Sequence, residues 1–115
     1  MKIDQFEDII AWQKARNMTL KIYFILKDLR DFGFRDQICR ASVSVMNNIA
    51  EGFERKSDSE FMHFLYIAKG SCGEVRSMLY LAIELNYINK KDYTELLMLS
   101  NEVSKMISGL IKTLK

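Results

Sequence analysis

The residues best suited to chemistry fall in one run, Asn47-Asn48-Ile49-Ala50-Glu51-Gly52-Phe53-Glu54-Arg55, where amide, carboxylate and guanidinium groups follow one another on what reads as a helix. Asn48 is three residues past Val45, Glu51 three past Asn48 and Gly52 four past Asn48, spacings that put them near one side of that helix. Inward carboxylates in a helical protein build di-metal sites when two helices each supply a Glu-x-x-His pair. Here the single histidine, His63, makes that pair once, with Glu60, and Glu60 is wanted as a helix cap. No metal and no cofactor are therefore expected. The polar residues read instead as a buried network that fixes helix register. Its members are Asn48, Glu51 and Gln37 on one helix and Glu74 on the next, with Arg40 as a further candidate.

Nucleophilic catalysis finds no support. Ser42, Ser44 and Ser71 have no histidine at a workable sequence position. Cys72 lies in an apolar stripe, which raises a thiol pKa and leaves it inert. Gly70-Ser71-Cys72-Gly73 lacks the Gly-Lys-Ser/Thr ending of a phosphate loop and falls mid-helix, where small residues suit the close approach of another helix. No catalytic residue and no small-molecule substrate are expected, so the chain reads as a non-enzyme.

The basic residues offer a different chemistry. Arg35, Arg55 and Lys56 near the ends of the second helix, together with Arg40 within it, are the candidate phosphate contacts, with Lys14, Arg16 and Lys21 on the polar side of the first. Tyr23, Phe32 or Tyr66, if exposed, would stack bases. The balance is only mildly basic: 17 Lys/Arg against 15 Asp/Glu, net +2. The pI near 8.5 falls below the value above about 9 expected of a dedicated nucleic-acid module. A basic face must then be built by folding or by assembly, where repeated weak patches gain through avidity.

Four helices must position these residues. Apolar residues recur at three- and four-residue spacing over about 8–29 (Trp12, Ala15, Thr19, Ile22, Leu26, Leu29), 34–54 (Ile38, Ala41, Val45, Ile49), 58–86 (Leu65, Ala68, Cys72, Val75, Leu79, Ala82) and 90–114 (Leu96, Ser100, Val103, Ile107). Asp4 and Glu7 are expected to cap the first, with Gly33 as the left-handed residue ending it. Ser57 with Glu60 forms a capping box for the third, and Asn89 starts the fourth. Short joins force neighbouring helices antiparallel, so the fold expected is all-α, an antiparallel up-down-up-down four-helix bundle.

Bulk figures agree. With 115 residues, no proline and 49% apolar content, the chain is expected to be one domain spanning 1–115. Asp4, Glu7 and Asp8 stand where a secretory signal needs cations, and no apolar run approaches the ~20 residues that span a bilayer. A cytoplasmic protein with no membrane partner is expected, with Cys39 and Cys72 as free thiols. The first and last helices carry second apolar tracks (Ile10, Ala11, Met18, Ile25; Leu97, Leu99, Met106, Ile111), more than one bundle core requires. That surplus predicts self-association. The alternative is a protein–protein interaction module with an apolar groove and no nucleic-acid role.

These residues together resemble a known family. Ala11-Trp12-Gln13-Lys14-Ala15, the run Gln37 to Val45, Asn48-Ile49-Ala50-Glu51-Gly52-Phe53-Glu54-Arg55, Ala68-Lys69-Gly70-Ser71 and Glu84-Leu85-Asn86-Tyr87-Ile88 look like the bacterial four-helix-bundle proteins named for the 23S rRNA intervening sequences that encode some of them. The match covers nearly the whole chain. Those proteins are similar to the accessory protein of diversity-generating retroelements, a basic pentameric barrel that binds a reverse transcriptase and nucleic acid. The resemblance implies a homo-oligomer, a pentamer, acting as a scaffold for RNA or an RNA-processing protein. Relatives often carry proline where this chain has Val45-Met46-Asn47, so no kink of the second helix carries over.

Overall fold

The computed structural model describes residues 2–115; Met1, the first residue of the expected domain, lies outside them. Among the described residues there are four α-helices and no strand: α1 (Ile10–Ile25), α2 (Phe32–Phe53), α3 (Asp58–Glu84) and α4 (Lys90–Leu114), preceded by a 3-10 turn at Phe6–Asp8. α1 packs on α2 and α4, α3 packs on α2 and α4, and α1 and α3 stand diagonally across the core. This is the neighbour pattern of an up-down-up-down bundle, here 43 Å long, close to the roughly 40 Å of a 27-residue helix.

The helix ends show which local signals operate. Ser57 accepts from the Glu60 N–H at 3.1 Å and its hydroxyl donates to the Glu60 carboxylate at 3.3 Å. Asn89 caps α4 through the Asp92 N–H at 2.8 Å. α1 departs from expectation at both ends. Its N-cap is Ile9, which has no side-chain cap, while Asp4 and Glu7 lie ahead of it; Gln13 instead turns back to donate to the Glu7 carbonyl at 2.8 Å. The helix stops at Ile25 rather than Leu29; Leu26 is buried and Leu29 partly buried in the turn that follows, and Asp31 then caps α2 through the Phe34 N–H. Gly33 accordingly sits inside the first turn of α2 and has no positive φ. The left-handed stop belongs to Asn86 (φ 59°): the Tyr87 N–H reaches the Ala82 carbonyl and the Asn86 N–H the Ile83 carbonyl, a Schellman ending two residues short of the expected limit of α3.

The core is a continuous column of Met18, Ile22, Ile38, Val45, Ile49, Leu65, Val75, Leu79, Leu96, Val103 and Ile107, all essentially inaccessible. Gly52 fixes the approach of α2 to α3, since a Cβ there would stand 2.8 Å from the Phe64 Cβ and 3.2 Å from the Phe61 carbonyl oxygen.

Candidate nucleic-acid interface

The four candidate phosphate-binding residues occupy two corners rather than one patch. Arg35 and Arg55 are separated by about 30 Å along α2, at 1.5 Å per residue. At the first corner the Asp31 cap sets the opening turn of α2 and brings Arg35 back over the end of α1. Its Nη1 donates to the Lys27 carbonyl at 3.4 Å and the Leu29 carbonyl at 3.5 Å, and its guanidinium stacks 4.9 Å from the Phe32 ring centroid. Arg35 thus ties the start of α2 to carbonyls of the turn that follows α1. Beside it, Tyr23, Lys27, Asp36, Cys39 and Arg40 complete an open cleft between the end of α1 and the start of α2. Tyr23 and Phe32 are both at least half exposed. Burial pushes the Cys39 thiol above its ordinary pKa, so it stays neutral near pH 7.

At the second corner Arg55 is already engaged. Its Nη2 lies 2.6 Å from the Glu51 carboxylate and its guanidinium 4.7 Å from the Phe64 ring centroid. Lys56 is exposed on the rim of a depression floored by Phe53, Phe61, Leu110 and Leu114, next to the α3 N-terminus. The cations of α1 behave similarly: Lys14 pairs with Glu102 at 2.8 Å and Lys21 with Glu95 at 3.5 Å, both across to α4. The cation that sequence reasoning missed is Lys27. Its signal was its place one turn past Tyr23; it lines the same cleft as Arg35 and Arg40, with its Nζ 4.6 Å from the Phe24 ring centroid.

The expected buried polar network is not buried. Gln37, Glu51, Glu74 and Arg40 are all exposed, and Asn48 is half-buried. Each step of three residues turns a helix by about −60°, so Glu51, three past Asn48, has rotated away from the core. The polar contacts that remain are peripheral, and those of Gln37 with Glu74 and of Ser44 with Ser71 join α2 to α3. Gln37 donates to Glu74 at 3.2 Å; Asn48 donates to the Ser44 carbonyl at 2.8 Å and hydroxyl at 3.0 Å; and the Ser44 and Ser71 hydroxyls meet at 2.9 Å. The buried polar side chains are Thr19, Ser42 and Ser100, two of which read as members of apolar stripes. Thr19 Oγ1 shares its hydrogen between the carbonyls of Ala15 (2.9 Å) and Ser42 (3.1 Å), tying α1 to α2, while the Cys72 thiol donates to the Ser100 carbonyl at 3.2 Å. Among the described residues, no three His, Cys, Asp or Glu side chains converge as metal ligands.

One further concavity bears on partners. Ile3, Ile9, Ile10, Ala11, Met106 and Leu110 line an apolar groove between the N-terminal segment and α4, rimmed by Lys2, Asp4 and Asp8. No helix is long and apolar enough to cross a membrane.

An all-helical bundle with two small basic corners and peripheral polar contacts is the class that the structure defines. The chain belongs to the 23S rRNA-intervening sequence protein family, whose model matches residues 7–109. Among solved structures it is similar to a protein of unknown function from the S23 ribosomal protein family of Bacteroides thetaiotaomicron. That likeness has a TM-score of 0.83 at 27% identity and covers 89% of this chain and 98% of that one. No curated protein matches the chain. Neither relationship carries an assigned activity, so the family is one of unknown function.

Proposed function

We propose that this protein is a cytoplasmic, non-enzymatic scaffold that assembles with copies of itself, as a ring of five in the reading the family resemblance suggests, and contacts RNA. The observation that supports RNA contact is the cleft of Tyr23, Lys27, Arg35, Asp36, Cys39 and Arg40, where cations and an exposed aromatic ring stand together. Phosphates meet Lys27 and Arg40, bases stack on Tyr23 and Phe32, and Arg35 holds the corner in shape. One cleft of this size is weak; repetition around an assembly multiplies it. The test is binding of a single-stranded RNA oligomer at increasing salt. Affinity should fall steeply as counterions are released, by about 0.7 log units per log unit of salt for each phosphate neutralised, and should collapse in Lys27→Glu/Arg40→Glu. An affinity flat in salt, or indifferent to those substitutions, overturns the proposal.

The groove lined by Ile3, Ile10, Met106 and Leu110 supports a second reading, a protein-binding module without a nucleic-acid role. In that case a Met106→Glu substitution abolishes partner capture while the charge reversals at Lys27 and Arg40 leave it intact.

A further inference from the structure

Phosphate binding leaves one member of the basic cleft unexplained. Asp36 lines it together with Tyr23, Lys27, Arg35, Cys39 and Arg40, and a carboxylate beside a phosphate repels it. The fold has little use for an acid at this position. α2 begins at Phe32, so Asp36 lies beyond the first turn, and an acid gains from the helix dipole only within it. Its ion pair with Arg35 Nε is 3.7 Å long, and the Asp36 side chain is 60% exposed, so the pair adds little stability. Arg40 follows at the four-residue spacing where an acid and a cation on one helix can close. Among the described residues, however, Asp36 has no second ion pair and Arg40 has none. The aspartates that accept side-chain hydrogen bonds are Asp8 and Asp31, not Asp36.

The cleft therefore combines three kinds of group. Tyr23, half exposed, offers a ring face for stacking. Lys27 and Arg40 supply positive charge. Arg35 is held by the Lys27 and Leu29 carbonyls and the Phe32 ring, and it steadies the Asp36 carboxylate without saturating it. The volume, about 560 Å³, is that of a small-ligand site and suits a single nucleotide. A carboxylate accepts hydrogen bonds and donates none. Guanine alone among the bases presents two adjacent donors on its pairing edge, a ring N–H and an amino N–H. Adenine and cytosine place an acceptor nitrogen beside their amino group, and uracil flanks its ring N–H with two carbonyls. Each of those three would set a lone pair against a carboxylate oxygen.

We infer that the cleft reads an unpaired guanine of an RNA strand, which stacks on Tyr23 and donates from its ring and amino N–H groups to Asp36. Lys27 and Arg40 hold the flanking phosphates. The pairing edge of the base is consumed, so a guanine inside a duplex is refused. This rests on the RNA contact proposed above and assigns the base that the site takes.

The test is binding of the full chain, followed by fluorescence anisotropy at low salt, to labelled oligouridines carrying one central guanosine, inosine, adenosine or cytidine. Guanosine should bind about tenfold more tightly than adenosine or cytidine, the discrimination that one two-point base contact supplies. Adenosine controls for stacking, and inosine, which lacks the amino group, should fall between. Asp36→Asn, at an exposed position and checked for folding by circular dichroism, should erase the preference for guanosine. If Asp36→Asn instead tightens all four oligomers equally and keeps their ranking, Asp36 acts through charge alone and the inference is overturned. A preference that survives pairing of the guanosine with a complementary strand overturns it too. Equal affinities for the four in wild type, lost in Lys27→Glu/Arg40→Glu, end the guanine assignment while RNA contact stands. No binding to any oligomer ends both.

Discussion

The Tyr87 hydroxyl donates to Asp31 Oδ2 at 2.7 Å, while the other oxygen of the same carboxylate accepts from the Phe34 N–H at 3.2 Å. Residues 56 apart in sequence are joined, so the Schellman ending of α3 clamps the cap that starts α2. Phe34 completes the joint with an edge-to-face contact to Tyr87, ring centroids 5.2 Å apart. The same cap sets the turn that carries Arg35 and shapes the basic cleft.

This joint gives a pH prediction. The Tyr87 hydroxyl, and then the Phe34 N–H, stabilise the charged Asp31 carboxylate and hold its pKa below the ordinary 3.8. Its contribution to stability is complete above the unfolded value and is lost as pH falls through the lower folded one. Tyr87 is displaced the other way, above 10.0, by donating to Asp31, so its share is present below that value and lost as pH rises through the folded pKa. Tyr87→Phe should move the Asp31 carboxyl back toward 3.8 in a carbon-detected NMR titration. An Asp31 titration unchanged in Tyr87→Phe would contradict the link.

Gly52 and Gly70 should respond oppositely to alanine. At Gly52 the added methyl collides with the Phe64 Cβ and the Phe61 backbone, so Gly52→Ala should cost about 1–3 kcal/mol despite better helix propensity. At Gly70 there is open space, and Gly70→Ala should raise stability of the single chain by about 0.5–1 kcal/mol. Urea melts of both variants, made at a concentration where the chain is monomeric, decide the matter.

Thr19→Val removes a buried hydroxyl without changing side-chain volume much. It deletes the shared hydrogen bond to Ala15 and Ser42, so a loss of about 0.5–1.5 kcal/mol in a denaturant melt is expected. A neutral result would mean that this hydroxyl adds nothing to the α1–α2 seam.

Both thiols should resist modification. Burial is the largest cause raising the pKa of each, and Cys72 is also fully covered and hydrogen-bonded to Ser100. With a disulfide reagent at pH 7, Cys72 should react only at the rate of global opening, measured in parallel by amide exchange, and Cys39 sooner. A fast Cys72 reaction would show that the centre of α3 opens locally.

Local chemistry and period were enough to read some features from the chain alone. Three- and four-residue spacing located four helices because an amphipathic helix is stabilised chiefly by burying its apolar stripe. Ser57 with Glu60 and Asn89 marked two starts because a cap needs only residues within one turn. Family membership was legible in the run from Asn48 to Arg55 for the same reason. Packing decided everything that depends on where helices cross. α1 ends at Ile25, well short of its apolar stripe, and the Asp31 cap that starts α2 is held by a tyrosine just past the end of α3. Glu51 and Glu74 face outward because a helix flank becomes interior only when a neighbour covers it, and the core column is narrower than the stripes suggested. Arg35 was read as a phosphate contact; packing gives it the Lys27 and Leu29 carbonyls of the turn after α1, and leaves Lys27 and Arg40 beside it lining the cleft. Periodicity records which residues prefer to leave water. Only the packed bundle settles which of them find a neighbour within the chain, and which, like Leu20 and Phe24, stay exposed on its surface.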